Sequence, residues 1–423
     1  MYKLLIDKLV YDTVLPLAYV CTAVLVAVFC YCCFTSVKQP FTDLYSKDGD
    51  FKQFLFKNVP IINEKYSPTF WAFNGHTQTI VATFLRDIVV PKVKYNREIL
   101  TLKDGGQVAI DWRNPNEENN LMTSSVTVLL LCGLTGHSQS EYIKETVNEL
   151  YNWGYCTVVF NYRGLGGVKL KTARSYSANN IEDLTEVLKY IKLKRPLSPV
   201  AAIGFSMGGL LLGTFLTSRE QAVNKYLATG VLLSVPWNVT KASYNTESSW
   251  LMRRMGEYLS YHLRNIIVQN KDVIFNGDNN TPLDYNRIIQ CKTIRQFDTE
   301  YTIKMFNYKD VYDYYNDASL SDKLHLIQIP CLCLSAADDP FLYLPDIPVH
   351  EAEKLSNLAI LVTSGGGHIG YLDTFWPFRN NNYMLQLIQQ YFAAIMVDKN
   401  YEKFSPQIQT NNTDRTTLKL LDQ

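Results

Sequence analysis

Histidine is scarce in this chain: there are six in 423 residues, and none is paired in an H-E-x-x-H arrangement. That argues against a histidine-built metal centre. No G-x-x-x-x-G-K-[ST] run is present to cradle a nucleotide, and Gly164-Leu165-Gly166-Gly167 lacks the spacing of a dinucleotide fingerprint. Neither sign of charge is in excess. With 41 basic and 40 acidic residues the net charge is +1, so the bulk charge offers nothing to a nucleic acid. Internal repeats and low-complexity tracts are missing as well. No metal, organic cofactor or nucleic-acid partner is expected.

One absence is local. Residues 14–34 contain no charged side chain, and a helix of that length, rising about 1.5 Å per residue, crosses the roughly 30 Å hydrocarbon core of a bilayer. The expectation is a single N-terminal transmembrane anchor. A cleaved signal peptide fits poorly, because Tyr31, Cys32, Cys33 and Phe34 stand where a cleavage site needs small residues. Lys3 and Lys8 before the segment balance Lys38 and Lys47 after it, so charge does not orient it. Of nine cysteines, Cys21, Cys30, Cys32 and Cys33 lie in this segment, and Cys132, Cys156, Cys331 and Cys333 lie in runs that read as buried strands. That is no disulfide framework. Cys32 and Cys33, at the membrane border, read either as small apolar residues or as palmitoylation sites. Sequons at Asn238, Asn279 and Asn411 matter only for a lumenal domain.

The length allows one large α/β domain with additional elements. Residues 1–13 flank the anchor. Residues 35–94 read as an irregular wrapping or cap segment broken by Pro40, Pro60, Pro68 and Pro91, in which Trp71-Ala72-Phe73-Asn74-Gly75-His76-Thr77-Gln78-Thr79 is expected to be a structured turn. From 95 to 236 the pattern becomes regular. Residues 97–102 and 107–112 flank Lys103-Asp104-Gly105-Gly106 as a hairpin. Strands over 126–132, 156–161, 200–205 and 230–235 then alternate with helices, which predicts a mostly parallel central sheet with helices on both faces. Residues 237–326 form an aromatic-rich helical insertion, either a lid over the site or a helical layer without a gating role. The core resumes over 327–400 with strands at 329–335 and 359–364 and a closing helix, and 401–423 is a polar tail.

Gly204-Phe205-Ser206-Met207-Gly208 sits between an apolar strand and a helix. A G-x-S-x-G pentapeptide in that setting is a nucleophile elbow, with small neighbours relieving a strained turn. A serine hydroxyl needs a base, and the base needs a carboxylate to orient it. Both follow in the order such folds use. Strand 329–335 leads into Ala336-Ala337-Asp338-Asp339-Pro340-Phe341, and strand 359–364 into Gly365-Gly366-Gly367-His368. His368 is the expected base and Asp339 the expected acid, with Asp338 the second choice. The other five histidines fall in turns or helices and read as ordinary. An oxyanion would be held by the N–H of Met207 and by that of Leu134, in the Cys132-Gly133-Leu134-Thr135-Gly136 loop.

Assembled, these residues resemble the α/β-hydrolase superfamily. The likeness is greater to its membrane-anchored AB-hydrolase-4 family, in the group of α/β-hydrolase domain-containing proteins 1 and 3. The resemblance runs over residues 51–397. Its marks are Gly75-His76-Thr77-Gln78-Thr79, Gly133-Leu134-Thr135-Gly136, Asn161-Tyr162-Arg163-Gly164, the elbow with Gly209, Ile294-Arg295-Gln296-Phe297-Asp298, Asp338-Asp339-Pro340-Phe341 and Gly366-Gly367-His368-Ile369-Gly370. It implies an α/β-hydrolase fold, a Ser206, Asp339, His368 triad, no cofactor, and a single-pass anchor in the endoplasmic reticulum or another endomembrane. It also implies hydrolysis of lipid esters, in first place phosphatidylcholine with medium-chain or oxidised acyl groups. Acylglycerol lipase, acyl-CoA:alcohol O-acyltransferase and a non-catalytic lipid-binding protein are the alternatives. Protein partners are left open. Two features depart from the pattern: Cys132 stands where many esterases have histidine, and the Gly365-Gly366-Gly367 run is richer in glycine than usual. His368 to Asp373 also spells H-x-x-x-x-D, an acyltransferase pattern, but His368 is already engaged as the base.

Overall fold

Nine strands make one sheet: β1 Thr42–Tyr45, β2 Asn96–Thr101, β3 Gln107–Arg113, β4 Thr127–Leu131, β5 Cys156–Asn161, β6 Val200–Phe205, β7 Thr229–Leu233, β8 Cys331–Ala336 and β9 Leu358–Thr363. Their order is β1-β9-β8-β7-β6-β4-β5-β3-β2. This computed structural model describes residues 41–72, 74–115, 126–218, 223–275, 282–373 and 382–405, with Thr22 and Val24. Apart from those two, the anchor expected over residues 14–34 lies outside the described residues, as do Asn279, Asn411 and the tail beyond 405. Among the described residues no helix is long and apolar enough to cross a membrane.

Six adjacent strands, from β5 through β4, β6, β7 and β8 to β9, run parallel. Every residue of β4, β5, β6, β8 and β9 is buried. That is why these strands read as unbroken apolar runs: helices cover both faces of a parallel sheet, so no strand has a polar side. Cys132, Cys156, Cys291, Cys331 and Cys333 are buried and form no disulfide among the described residues. The hairpin of β2 and β3 adds an antiparallel edge. The sheet changes direction at β4, which has β5 on one side and β6 on the other. Loops leaving the carboxyl ends of strands at such a switch point diverge and open a crevice.

The segment before β2 is more ordered than its prolines suggest. β1 pairs antiparallel with β9, Thr42 opposite Thr363, and is followed by helices α1 (Asp50–Asn58) and α2 (Gly75–Val89). The stretch expected to be a turn is the start of α2. Asn74 accepts from the Thr77 N–H while the Thr77 hydroxyl accepts from the Asn74 N–H, a reciprocal cap. Helices α3 (Glu141–Asn152), α4 (Glu182–Lys194), α5 (Met207–Thr217) and, near the C-terminus, Tyr383–Ile395 complete the layers.

Between β7 and β8 the insertion contains α6 (Trp250–Gln269) and shorter helices around a second small core of Leu263, Ile267, Ile288, Phe297 and Tyr301. A single wide π turn, Asp298–Thr302, lies within it. Its first residue, Asp298, is buried, and it accepts from the Thr302 hydroxyl at 2.6 Å and the Tyr315 hydroxyl at 2.9 Å. Burial outweighs those bonds and pushes the carboxyl up to about 6. In the unfolded chain the group titrates near 3.8, so the native state binds its proton more tightly. The resulting stabilisation is present below pH 3.8 and is lost as pH rises to 6, by about 3 kcal/mol. Asp298→Asn is therefore expected to melt higher than wild type at pH 7–8 and to lose the decline between about pH 4 and 6, as measured by melting temperature against pH.

Candidate active site

Ser206 follows β6 directly, at φ 52° and ψ −119°, a strained conformation for a side-chain-bearing residue. Its own N–H donates to Leu233 O, and its carbonyl accepts from the N–H groups of Gly209 and Leu210 at the start of α5. Gly208 makes the turn possible, since a Cβ there would stand 2.3 Å from Leu131 O in the neighbouring strand. The sharp turn lifts Ser206 to the carboxyl edge of the sheet.

Asp339 follows β8 and His368 follows β9, so all three groups share that edge. His368 Nε2 lies 2.8 Å from Ser206 Oγ, and His368 Nδ1 lies 2.8 Å from Asp339 Oδ2. The Asp339 carboxylate is shut off from water, while the imidazole retains 12% of its exposure. The carboxylate is further fixed by the Phe341 N–H, 2.9 Å from Oδ1, and the Phe341 ring packs on the imidazole with centroids 4.6 Å apart. This accounts for an Asp-Pro-aromatic run at the turn. Asp338 accepts from the Gly367 N–H at 2.9 Å and so supports the histidine loop instead. Asp373 forms a one-residue bridge with Pro68 and takes no part in the triad; burial pushes its carboxyl up to about 6. His137 accepts from the Gln139 N–H within its own turn.

Of the expected oxyanion donors, Met207 lies within the elbow and Leu134 in the loop after β4. A Cβ on Gly133 would lie 3.4 Å from Ser206 Cβ, so the 132–136 loop abuts Ser206. Around it the N–H groups are occupied: Gly133 donates to the Tyr142 hydroxyl, Thr135 to the Tyr176 hydroxyl and Gly136 to Gly133 O. Among the described residues, no hydrogen bond within the chain uses the N–H of Leu134 or of Met207. Two free donors beside a nucleophile are what an oxyanion hole requires.

The supports of the loops went unread in the sequence. Buried Tyr142 and Tyr162 and half-buried Tyr176 pin the 132–136 loop, the Tyr162 hydroxyl donating to Cys132 O at 2.7 Å. Helix α2 underlies the histidine loop. Thr79 Oγ1 accepts from the His368 N–H at 2.8 Å, and Gln78 Oε1 accepts from the Leu372 N–H at 2.7 Å. Buried Arg86 donates to Ile369 O and Gly370 O and pairs with Glu145. Gly75 lets the helix approach this closely: a Cβ there would lie 1.7 Å from Asp338 O. Ser234 Oγ accepts from the Ile369 N–H at 3.2 Å. The Asn74 and Thr77 cap was the one available sequence signal for α2.

Tyr142→Phe tests the pinning. It leaves the buried Gly133 N–H without a partner, which costs about 1–3 kcal/mol of stability, and it loosens the Leu134 donor. The expected result is a fall in kcat of about tenfold to a hundredfold with KM little changed. A purely structural role would lower the melting point and leave kcat alone.

The profile described as Hydrolase_4, serine aminopeptidase S33, matches residues 123–343. That span includes Ser206 and Asp339 and stops short of His368. The Homo sapiens protein named Phospholipase ABHD3 is 35% identical over 369 residues, 86% of this chain and 87% of that one. The Homo sapiens protein named Monoacylglycerol lipase ABHD2 is 27% identical over 365 residues, 84% of this chain and 85% of the relative. Among solved structures, the Pyrococcus furiosus esterase Pf2001 superposes with a TM-score of 0.45 at 15% identity, covering 73% of this chain and 98% of its own.

Proposed function

The chain belongs to the Hydrolase_4 family of α/β hydrolases, and on that premise we propose that it is a serine hydrolase of lipid carboxylic esters working through an acyl-enzyme on Ser206. The observation that carries the reading is the unbroken relay from Ser206 Oγ to His368 to Asp339, at 2.8 Å for each contact. His368 Nε2 takes the hydroxyl proton as Ser206 adds to the ester carbonyl. The N–H groups of Met207 and Leu134 hold the oxyanion, and His368 returns the proton to the leaving alcohol. Water, activated by the same imidazole, then releases the acid. Asp339, 2.8 Å from Nδ1, holds the imidazole with Nε2 facing the serine.

The favoured substrate is phosphatidylcholine carrying a medium-chain or oxidised acyl group. Support comes from the relative named a phospholipase, which is more similar to this chain than the one named a monoacylglycerol lipase. The uncharged run at residues 14–34 supports a single-pass anchor in an endomembrane. The test is product analysis of the full-length protein offered phosphatidylcholine with medium acyl chains, monoacylglycerol, or acyl-CoA with an alcohol. Free fatty acid and lysophospholipid are expected from the first. Ester synthesis exceeding hydrolysis would assign an acyltransferase, and release of acid from none of them would overturn the reading.

A further inference from the structure

Helix α6 presents the wrong residues to water. Its buried residues, Met252, Gly256, Ser260, Leu263, Ile266 and Ile267, form one face that packs into the fold. At about 100° per residue, Trp250, Arg254, Tyr258, Tyr261 and Val268 fall within an arc of roughly 80° on the opposite face. Trp250, Tyr258 and Tyr261 are 67%, 64% and 56% exposed. A helix facing water alone carries small polar and charged residues there. Tryptophan and tyrosine interleaved with arginine instead match the interfacial layer of a bilayer, where amphipathic rings lie among headgroups and a guanidinium meets phosphate.

Two further observations place this face. The underside of α6 belongs to the small core against which Leu134 and Tyr176 pack, so the aromatic arc lies over the active-site end of the sheet. The chain also enters the fold at that end: Phe41 O accepts from the Ser364 N–H, four residues before His368. Residues 35–41, which separate that point from the uncharged run at 14–34, span at most about 25 Å when extended.

We propose that the outer face of α6 rests on the phospholipid headgroup layer and turns the sheet edge that carries Ser206 toward the membrane. The proposal rests on the lipid-ester reading and adds the route by which the substrate arrives. Exposed Arg253 adds a positive charge beside the arc, while Arg254 lies over the Trp250 ring and pairs with Glu257 at 2.7 Å.

The test uses the full-length protein in phosphatidylcholine vesicles containing some phosphatidylserine. In one arm, wild type and Trp250→Phe are compared in vesicles of brominated lipid. A smaller quenched fraction of tryptophan fluorescence is expected in the variant, and equal fractions would overturn the proposal. In the other arm, the triple variant Trp250→Ala, Tyr258→Ala, Tyr261→Ala is expected to hydrolyse a water-soluble short-chain ester within about twofold of wild type while losing at least about tenfold on vesicle lipid. Equal losses on both substrates, or no loss on vesicles, would assign the face to a structural role, a second copy or a protein partner. If wild type hydrolyses no ester at all, the lipid-ester reading fails, and the quenching arm still decides the docking surface.

Discussion

Ser206→Ala is expected to lower turnover on every ester by about four to six orders of magnitude and to abolish labelling by a fluorophosphonate probe. The size follows from how the triad works. Serine, histidine and aspartate act as one unit, and losing the nucleophile removes nearly everything the unit supplies, leaving only what binding and the oxyanion donors provide. The fold should survive. Alanine suffers the same backbone strain at φ 52° as serine does, and among the described residues the Ser206 side chain makes no hydrogen bond beyond its contact with His368. The melting temperature should therefore stay close to that of wild type. Lipid profiling of cells carrying the variant against wild type then identifies the substrate, which should accumulate. Full labelling of a folded Ser206→Ala protein would remove Ser206 from the role, and an unchanged lipid profile would count against lipid esters as substrates.

What the sequence made legible was whatever a short window encodes. The apolar runs of β4, β5, β6, β8 and β9 announce themselves because both their faces are buried. The elbow announces itself because a strained turn admits few residue types, and chain order then points to His368 and to a pair of candidate acids, Asp338 and Asp339. Strand β1 is different: Thr42-Asp43-Leu44-Tyr45 has little strand character of its own, and it becomes a strand only because β9 offers an edge more than 300 residues away. The same holds for the supports of the site. Tyr142, Tyr162 and Tyr176 are three of 28 tyrosines, and nothing local separates those whose hydroxyls meet the oxyanion loop from those that merely fill space. Helix α2 concealed itself among prolines, and its Thr79 and Arg86 acquire meaning only against a loop that comes nearly 300 positions later.

The loop bearing the base shows how such remote contacts offset a local weakness. Gly366 and Gly367 both have positive φ, as do Ile369 and Tyr371, and a glycine-rich loop of this kind would wander if left alone. Among the described residues six side chains from elsewhere in the chain restrain it: Tyr66, Gln78, Thr79, Arg86, Ser234 and Asp338 each bond a main-chain N–H or carbonyl between 367 and 372. The glycines permit an unusual path, and the bonds select one course along it. In the proposed mechanism, a base held this way meets Ser206 without reorganising during the reaction, which is how an active site keeps its barrier low.

That division of labour separates the two adjacent carboxylates, which sequence alone left as competitors. Asp339→Asn is expected to reduce kcat/KM on a soluble ester by about 10⁴-fold, because an amide facing Nδ1 no longer holds the imidazole with Nε2 ready to accept a proton and no longer balances the imidazolium that forms. Asp338→Asn should reduce it by no more than about tenfold. Its amide oxygen can still accept from the Gly367 N–H, which now sits 2.9 Å from Asp338 Oδ1, and an N–H to oxygen bond of this kind contributes only about 1 kcal/mol. Asp338→Ala removes the acceptor altogether and should fall between the two, with a lower melting temperature because the loop loses a tether. Measuring all three variants together with their thermal midpoints makes the comparison decisive. A larger loss in Asp338→Asn than in Asp339→Asn would reverse the roles read from the 2.8 Å contact between Asp339 and His368.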